Sequence, residues 1–122
     1  MADDNREFRD IVVEYIDKQG DMEVVEVASD GLEVISMIDK IKPDVVILDI
    51  IMPHLDGLGV LEKLRDLETN ERPKIIMLSA VGQDKITQKA IALGADYYIV
   101  KPFDMDTFVM RIRELVSENQ EY

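Results

Sequence analysis

Two short runs of consecutive apolar residues constrain this chain most. Val45-Val46-Ile47-Leu48 and Ile75-Ile76-Met77-Leu78 are rich in β-branched side chains and bounded by polar residues. A strand that is apolar at successive positions is buried on both faces, as in a parallel sheet covered by helices on either side. Around these runs the apolar spacing becomes helical. Phe8, Ile11, Val12, Tyr15 and Ile16 share one helical face within residues 5–18, which Gly20-Asp21 ends. Residues 22–28, with valines at 24, 25 and 27, predict a further strand. Ser29-Asp30-Gly31 supplies a turn and an N-cap candidate for a helix over 32–41, which Lys42-Pro43 stops.

The alternation continues through the second half. A strand over 44–49 is followed by a loop with Pro53 and Gly57, a helix over 58–67 and a strand over 74–80. A helix over 83–93 closes at Gly94, a strand spans 96–100, and Asp104 caps a last helix to about Val116. Residues 117–122 read as a frayed end. Strand–helix alternation with short connections predicts a single α/β domain over 1–122, its helices on both faces through right-handed crossovers. The front of the chain departs from this order. In a βα alternation an acidic pair at a strand end follows several apolar residues, yet only Met1 and Ala2 precede Asp3-Asp4. The first strand is therefore expected to be missing or truncated, with low stability or oligomerisation by strand exchange as the consequence.

In an open parallel sheet the site lies beyond the C-terminal ends of the strands. Asp3 and Asp4 stand where a first strand would end. Asp49 follows Leu48, Ser79 follows Leu78 and Lys101 follows Val100. Hard carboxylate oxygens suit Mg²⁺, with Mn²⁺ or Ca²⁺ as alternatives, and a bound cation removes the repulsion that would otherwise raise a carboxyl pKa. Lys101 can neutralise phosphate charge and the Ser79 hydroxyl can donate to a phosphoryl oxygen, which is what phosphoryl transfer requires. Each residue also has an ordinary reading: Asp3 or Asp4 as an N-cap, Asp49 and Lys101-Pro102 as strand exits, while Ser79 alone means little. Convergence of all of them on one sheet edge favours the site. His54, the sole histidine, reads as an exposed loop residue. A Gly-rich phosphate loop and a G-x-S-x-G elbow are both absent, and neither a nucleotide site nor a serine hydrolase is supported.

The net charge of −12 sets a surface that repels nucleic acid, so direct nucleic-acid binding is not expected. No apolar run approaches the ~20 residues of a membrane span, and MADDNREF lacks the features of a secretory signal. With no cysteine in the chain, a cytoplasmic setting is expected.

The acidic pair Asp3-Asp4, the run Asp49-Ile50-Ile51-Met52-Pro53-His54-Leu55-Asp56-Gly57, Ser79-Ala80 and Lys101-Pro102 together resemble the receiver domains of two-component response regulators. The wording ADDNRE, DIIMPHLDGL and VKPFDM is similar to the sporulation regulators of endospore-forming bacteria. The resemblance implies a flavodoxin-like (βα)5 parallel sheet of strand order 2-1-3-4-5, with Asp49 as phosphoacceptor. It implies metal ligation by Asp4 and Asp49, by Asp3 directly or through water, and by the Ile51 backbone carbonyl. Ser79 and Lys101 would grip the phosphoryl group, Tyr98 would be the aromatic switch that small Ala80 permits to turn inward, and Lys101-Pro102 would be cis. The implied donor is phosphohistidine on a sensor histidine kinase or a histidine phosphotransfer protein. The implied partners are an output DNA-binding domain and, on phosphorylation, a second copy of the chain. Apolar Ile51 and Val81 beside the site imply a long-lived phosphoryl state. A pseudo-receiver, a binding module with this fold but no phosphorylation, remains the alternative. A phosphohydrolase with Asp49 as nucleophile is weaker, because the position two residues later is Ile51 rather than an acid.

Overall fold

The computed structural model describes residues 1–52, 54–65, 72–80, 82 and 84–120, apart from the side chains of 118–120. The elements in chain order are α1 (Arg6–Asp17), α2 (Gly31–Ile41), β1 (Val45–Asp49), α3 (Gly57–Leu64), β2 (Lys74–Ala80), α4 (Asp84–Ala92), β3 (Tyr97–Lys101) and α5 (Met105–Gln120). Both apolar runs form strands. β1 pairs in parallel with β2, Asp49 opposite Leu78, and β2 pairs in parallel with β3, Ser79 opposite Val100 and Ala80 opposite Lys101.

Period-two alternation sorts the strand side chains between two cores. Val46, Leu48, Ile75 and Met77 face α2, α3 and α4, where Val34, Ile38, Val60, Leu61 and Ala90 are buried. Ile47, Ile76 and Leu78 face α1 and α5, meeting Val12, Ile16, Phe108, Ile112 and Leu115. Helices therefore cover both faces, as the uninterrupted apolar runs require.

The sheet departs from five strands at its front. β1, β2 and β3 are its only strands among the described residues. Residues 22–28, expected as a strand, form none, and only Ala28 makes a bridge. The reason is visible in the ladder. Ala2 bridges in parallel to Ala28 on one side and Leu48 on the other, so it holds the central place between the 22–28 segment and β1. The Ala2 N–H donates to Ile47 O at 2.7 Å, the Asp49 N–H to Ala2 O at 2.9 Å, and the Asp3 N–H to Ala28 O at 3.1 Å. The spatial order is that of a 2-1-3-4-5 sheet whose first strand is reduced to one paired residue. Residues 22–28 thus have no neighbouring strand along most of their length. Between them and β1 lies a cavity of about 440 Å³.

Smaller differences concern helix ends. α3 ends at Leu64 with its cap at Arg65, earlier than the apolar spacing suggested, and the expected extension to Leu67 lies outside the described residues. α5 runs on to Gln120, where fraying from 117 was expected. Pro53, Val81 and Gln83 also lie outside the described residues. No helix among the described residues is long and apolar enough to cross a membrane.

Candidate functional site

The acidic pair is positioned by the pairing of Ala2 and by a cap. Asn5, not Asp3 or Asp4, is the N-cap of α1, its side chain accepting from the Phe8 N–H at 3.1 Å. The capping role considered for the pair is thereby filled, and both carboxylates are free for other work. Asp3 is fully buried; its Oδ1 accepts from the Asn5 N–H at 2.9 Å and its Oδ2 from Lys101 Nζ at 3.0 Å. Asp4 is exposed.

Asp49 ends β1 and is fixed from behind by the Asp-Gly of the following loop. Asp56 caps α3 by accepting from the Gly59 N–H at 2.9 Å, and the Gly57 N–H donates to Ile50 O at 2.8 Å. A Cβ on Gly57 would stand 2.7 Å from Asp49 O, so only glycine lets this loop pack against the end of the strand. Asp49 Oδ1 accepts weakly from the Ile51 N–H at 3.3 Å and Oδ2 from Lys101 Nζ at 3.4 Å. Burial, and then the charge of Asp3, push the Asp49 carboxyl up to about 6, against the partial relief given by Lys101.

Lys101 ends β3, and its bond to Pro102 is cis. Burial acts against its charge, but the hydrogen bond to Asp3 and the charge of Asp49 outweigh it and raise its pKa. The Lys101 ammonium also lies over the Phe8 ring, 4.5 Å from its centroid, and Phe8 is held edge-on by Phe103. Ser79, at the end of β2, is 1% exposed, and its buried hydroxyl has no hydrogen-bond partner among the described residues. An orphaned buried hydroxyl costs about 1–3 kcal/mol and calls for a partner that the described residues do not supply.

The structure therefore brings Asp3, Asp4, Asp49 and Lys101 together, with Ser79 at the adjoining end of β2. Asp3, Asp4 and Asp49 each offer a carboxylate oxygen, all within 4.8 Å of one another. Three hard oxygens, one of them exposed, fit a divalent cation that keeps several waters. Among the described residues the Ile51 carbonyl has no hydrogen-bond partner, while the Ile51 side chain is 52% exposed. Tyr98 lies on β3 opposite Met77, 42% exposed and stacked on Tyr97. Ala80 is exposed opposite Lys101. His54 is exposed as expected, but it is not idle: its Nδ1 lies 2.8 Å from Asp30 Oδ2, tying the loop after Asp49 to the N-cap of α2. Phe8 and the Asp30–His54 pair were invisible in the sequence. Phe8 read as one more core residue of α1, and the pair joins positions 24 apart.

A parallel α/β sheet thus carries an acidic cluster, a hydroxyl and an ammonium at its carboxyl edge. The family model of the response regulator receiver domain matches residues 1–113, and the chain belongs to that family. Solved structures agree. The receiver domain of the Francisella response regulator 1452 is 30% identical, with 97% of this chain and 94% of that one covered at a TM-score of 0.85. A DNA-binding response regulator of the LuxR family from Staphylococcus aureus is 30% identical over 94% of each chain, at a TM-score of 0.86. The signal receiver domain of NarL from Mycobacterium tuberculosis is 29% identical over 95% of this chain and 92% of that one, at 0.85.

Proposed function

We propose that this chain accepts a phosphoryl group on Asp49 and transmits its presence as a change of conformation. The observation that carries the reading is the meeting of three carboxylates within 4.8 Å, a lysine bound to two of them and a buried hydroxyl with no partner. Asp4, Asp49, the Ile51 carbonyl and Asp3, directly or through water, would hold Mg²⁺, with Mn²⁺ or Ca²⁺ as substitutes. When bound, such a cation would supply charge neutralisation at the phosphoryl oxygens.

An Asp49 carboxylate oxygen attacks phosphorus in line. The P–N bond of a phosphohistidine on a sensor kinase or phosphotransfer protein breaks, and the imidazole leaves with the electron pair. Lys101 pairs with one phosphoryl oxygen and Ser79 donates its orphaned hydroxyl to another. Movement of Ser79 toward the phosphate opens space beside Ala80 into which Tyr98 turns, shifting the population between two packings. The resemblance of ADDNRE, DIIMPHLDGL and VKPFDM points to a transcriptional output in sporulation, in the cytoplasm, through a DNA-binding domain and a phosphorylation-dependent dimer. The similarity to a DNA-binding regulator is in keeping with such an output. Apolar Ile51 positions no hydrolytic water, which favours a long-lived acyl phosphate.

The test is intact mass after incubation with acetyl phosphate and Mg²⁺. A gain of one phosphoryl group that requires Mg²⁺ and disappears in Asp49→Ala is expected. No gain in a chain shown to be folded would turn the reading to an unphosphorylated interaction module.

A further inference from the structure

The loop that carries the Ile51 carbonyl runs from the end of β1 to the start of α3. Its two ends are anchored: the Ile50 N–H donates to Leu78 O at 3.1 Å and the Gly57 N–H to Ile50 O at 2.8 Å. Between those anchors, two hydrogen bonds tie the loop sideways to the start of α2. In one, the Gly31 N–H donates to Leu55 O at 2.9 Å. A Cβ on Gly31 would collide with that oxygen, so the two backbones are in direct contact.

The other is made by a side chain. His54 Nδ1 lies 2.8 Å from Asp30 Oδ2, while Asp30 Oδ1 accepts from the Glu33 N–H at 2.9 Å as the cap of α2. One carboxylate thus serves helix and loop at once. The Glu33 N–H, and then His54, hold the Asp30 carboxyl below the usual carboxylate range. An ionised carboxylate only accepts, so Nδ1 carries the proton and the link holds in either charge state of the ring. The His54 backbone is left-handed, with φ of 66°, which a non-glycine residue adopts at a cost. Its side chain is 68% exposed, so core packing does not account for its place. The strained residue is the one that holds the loop to α2, three positions beyond Ile51.

We propose that His54 and Asp30 are positioning residues for the divalent cation: their pairing holds the loop of the Ile51 carbonyl against α2, ready to complete the set of Asp3, Asp4 and Asp49. Neither residue touches the cation. Both act by lowering what ordering the loop costs on binding, as partners behind a metal's ligands do. The inference rests on the cation site of the preceding section. By linkage, the cation should in turn steady the start of α2.

The test is titration of Mg²⁺ into the ¹⁵N-labelled chain, with urea unfolding followed in EDTA. Three variants separate the roles. His54→Gly suits the left-handed backbone but has no donor. Asp30→Ser keeps a cap oxygen for the Glu33 N–H and leaves none for His54. His54→Asn tolerates the backbone and places an amide N–H where Nδ1 stands. His54→Gly and Asp30→Ser should each weaken Mg²⁺ binding roughly tenfold. The double variant should be no weaker, because both changes remove one link. His54→Asn should bind within about threefold of the parent. Mg²⁺ should slow hydrogen exchange at the Gly31 and Glu33 amides of the parent, and not in His54→Gly. A merely structural pair would lower the urea midpoint and leave the Mg²⁺ affinity of the folded chain as it was. That result would overturn the proposal, as would additive effects of the two single changes or a His54→Asn chain as weak as His54→Gly. A folded parent chain that binds no Mg²⁺ would overturn the cation site itself and the proposal with it, an outcome the parent alone sets apart from the others.

Discussion

Replacing Asp49 with asparagine is expected to make the folded chain more stable when no divalent cation is present. The Asp49 carboxyl stands near 6 instead of 3.8, because burial and the neighbouring Asp3 charge penalise its ionised form. At about 1.36 kcal/mol per tenfold, that displacement costs the folded state about 3 kcal/mol once the group is ionised. The Asp49 side chain is 13% exposed, so solvent screens little of it. The folded state holds this proton more tightly than the unfolded chain does. The associated stability is complete below pH 3.8, is lost as pH rises through 6, and stays lost above. Asparagine cannot ionise and keeps an oxygen for the Ile51 N–H, but it gives up the attraction to Lys101. The expected net gain at pH 7.5 is therefore about 2 kcal/mol, or about 6 °C in Tm for a domain of this size. At pH 4 the gain should shrink to about 0.5 kcal/mol or less, since Asp49 is then protonated. Urea denaturation in EDTA at both pH values measures the difference. With Mg²⁺ the order should reverse, because binding to the folded state stabilises the parent chain and scarcely the variant. An asparagine variant less stable than its parent at pH 7.5 in EDTA, or a gap equal at the two pH values, would refute the assignment of this strain to the Asp49 charge.

The other expectations follow from the same contacts. Ser79→Ala removes a buried hydroxyl that has no partner, so stability should rise by about 1 kcal/mol in thermal melts while phosphorylation by acetyl phosphate slows. Lys101→Ala leaves buried Asp3 without its cation and should cost about 3 kcal/mol in EDTA, with part of the loss restored by Mg²⁺. Phe8→Leu withdraws the ring beneath the Lys101 ammonium and should cost about 1 kcal/mol and slow phosphorylation, with Phe8→Tyr close to the parent on both measures.

The sequence made the outer part of the site legible because the signals there are local. A carboxylate, a hydroxyl and an ammonium each follow directly on an apolar run, and a parallel sheet brings the ends of its strands to one edge. The helices were equally readable from spacing, apart from their ends. The failure at residues 22–28 has a different origin. Their valines carry strand propensity, but a strand exists only where a neighbour pairs with it, and the neighbour here is reduced to Ala2. The cap of α1, for which Asp3 and Asp4 were the candidates weighed, falls on Asn5. Asp3, Asp4 and Asn5 are all good caps, and only the pairing of Ala2 with Ala28 and Leu48 decides which of them begins the helix.

The distribution of hydrogen bonds across the acidic cluster bears on how such a site can work as a switch. Asp3, wholly buried, is anchored by the Asn5 N–H and by Lys101 at 2.9 and 3.0 Å. Asp49 has only the longer contacts, 3.3 and 3.4 Å, and Ser79 Oγ has none. The strain is thus not spread over the site but confined to Asp49 and Ser79, two of the groups that would meet the phosphoryl group. A ligand that neutralises Asp49 and accepts from Ser79 recovers free energy the apo fold has left unrealised. A state that cannot make those contacts recovers none. That difference between states, and not the tightness of binding as such, is what can shift a conformational equilibrium. Relieving the strain by mutation should therefore both stabilise the fold and blunt its response to the ligand, which is why the Asp49→Asn and Ser79→Ala variants are expected to move stability and phosphorylation in opposite directions.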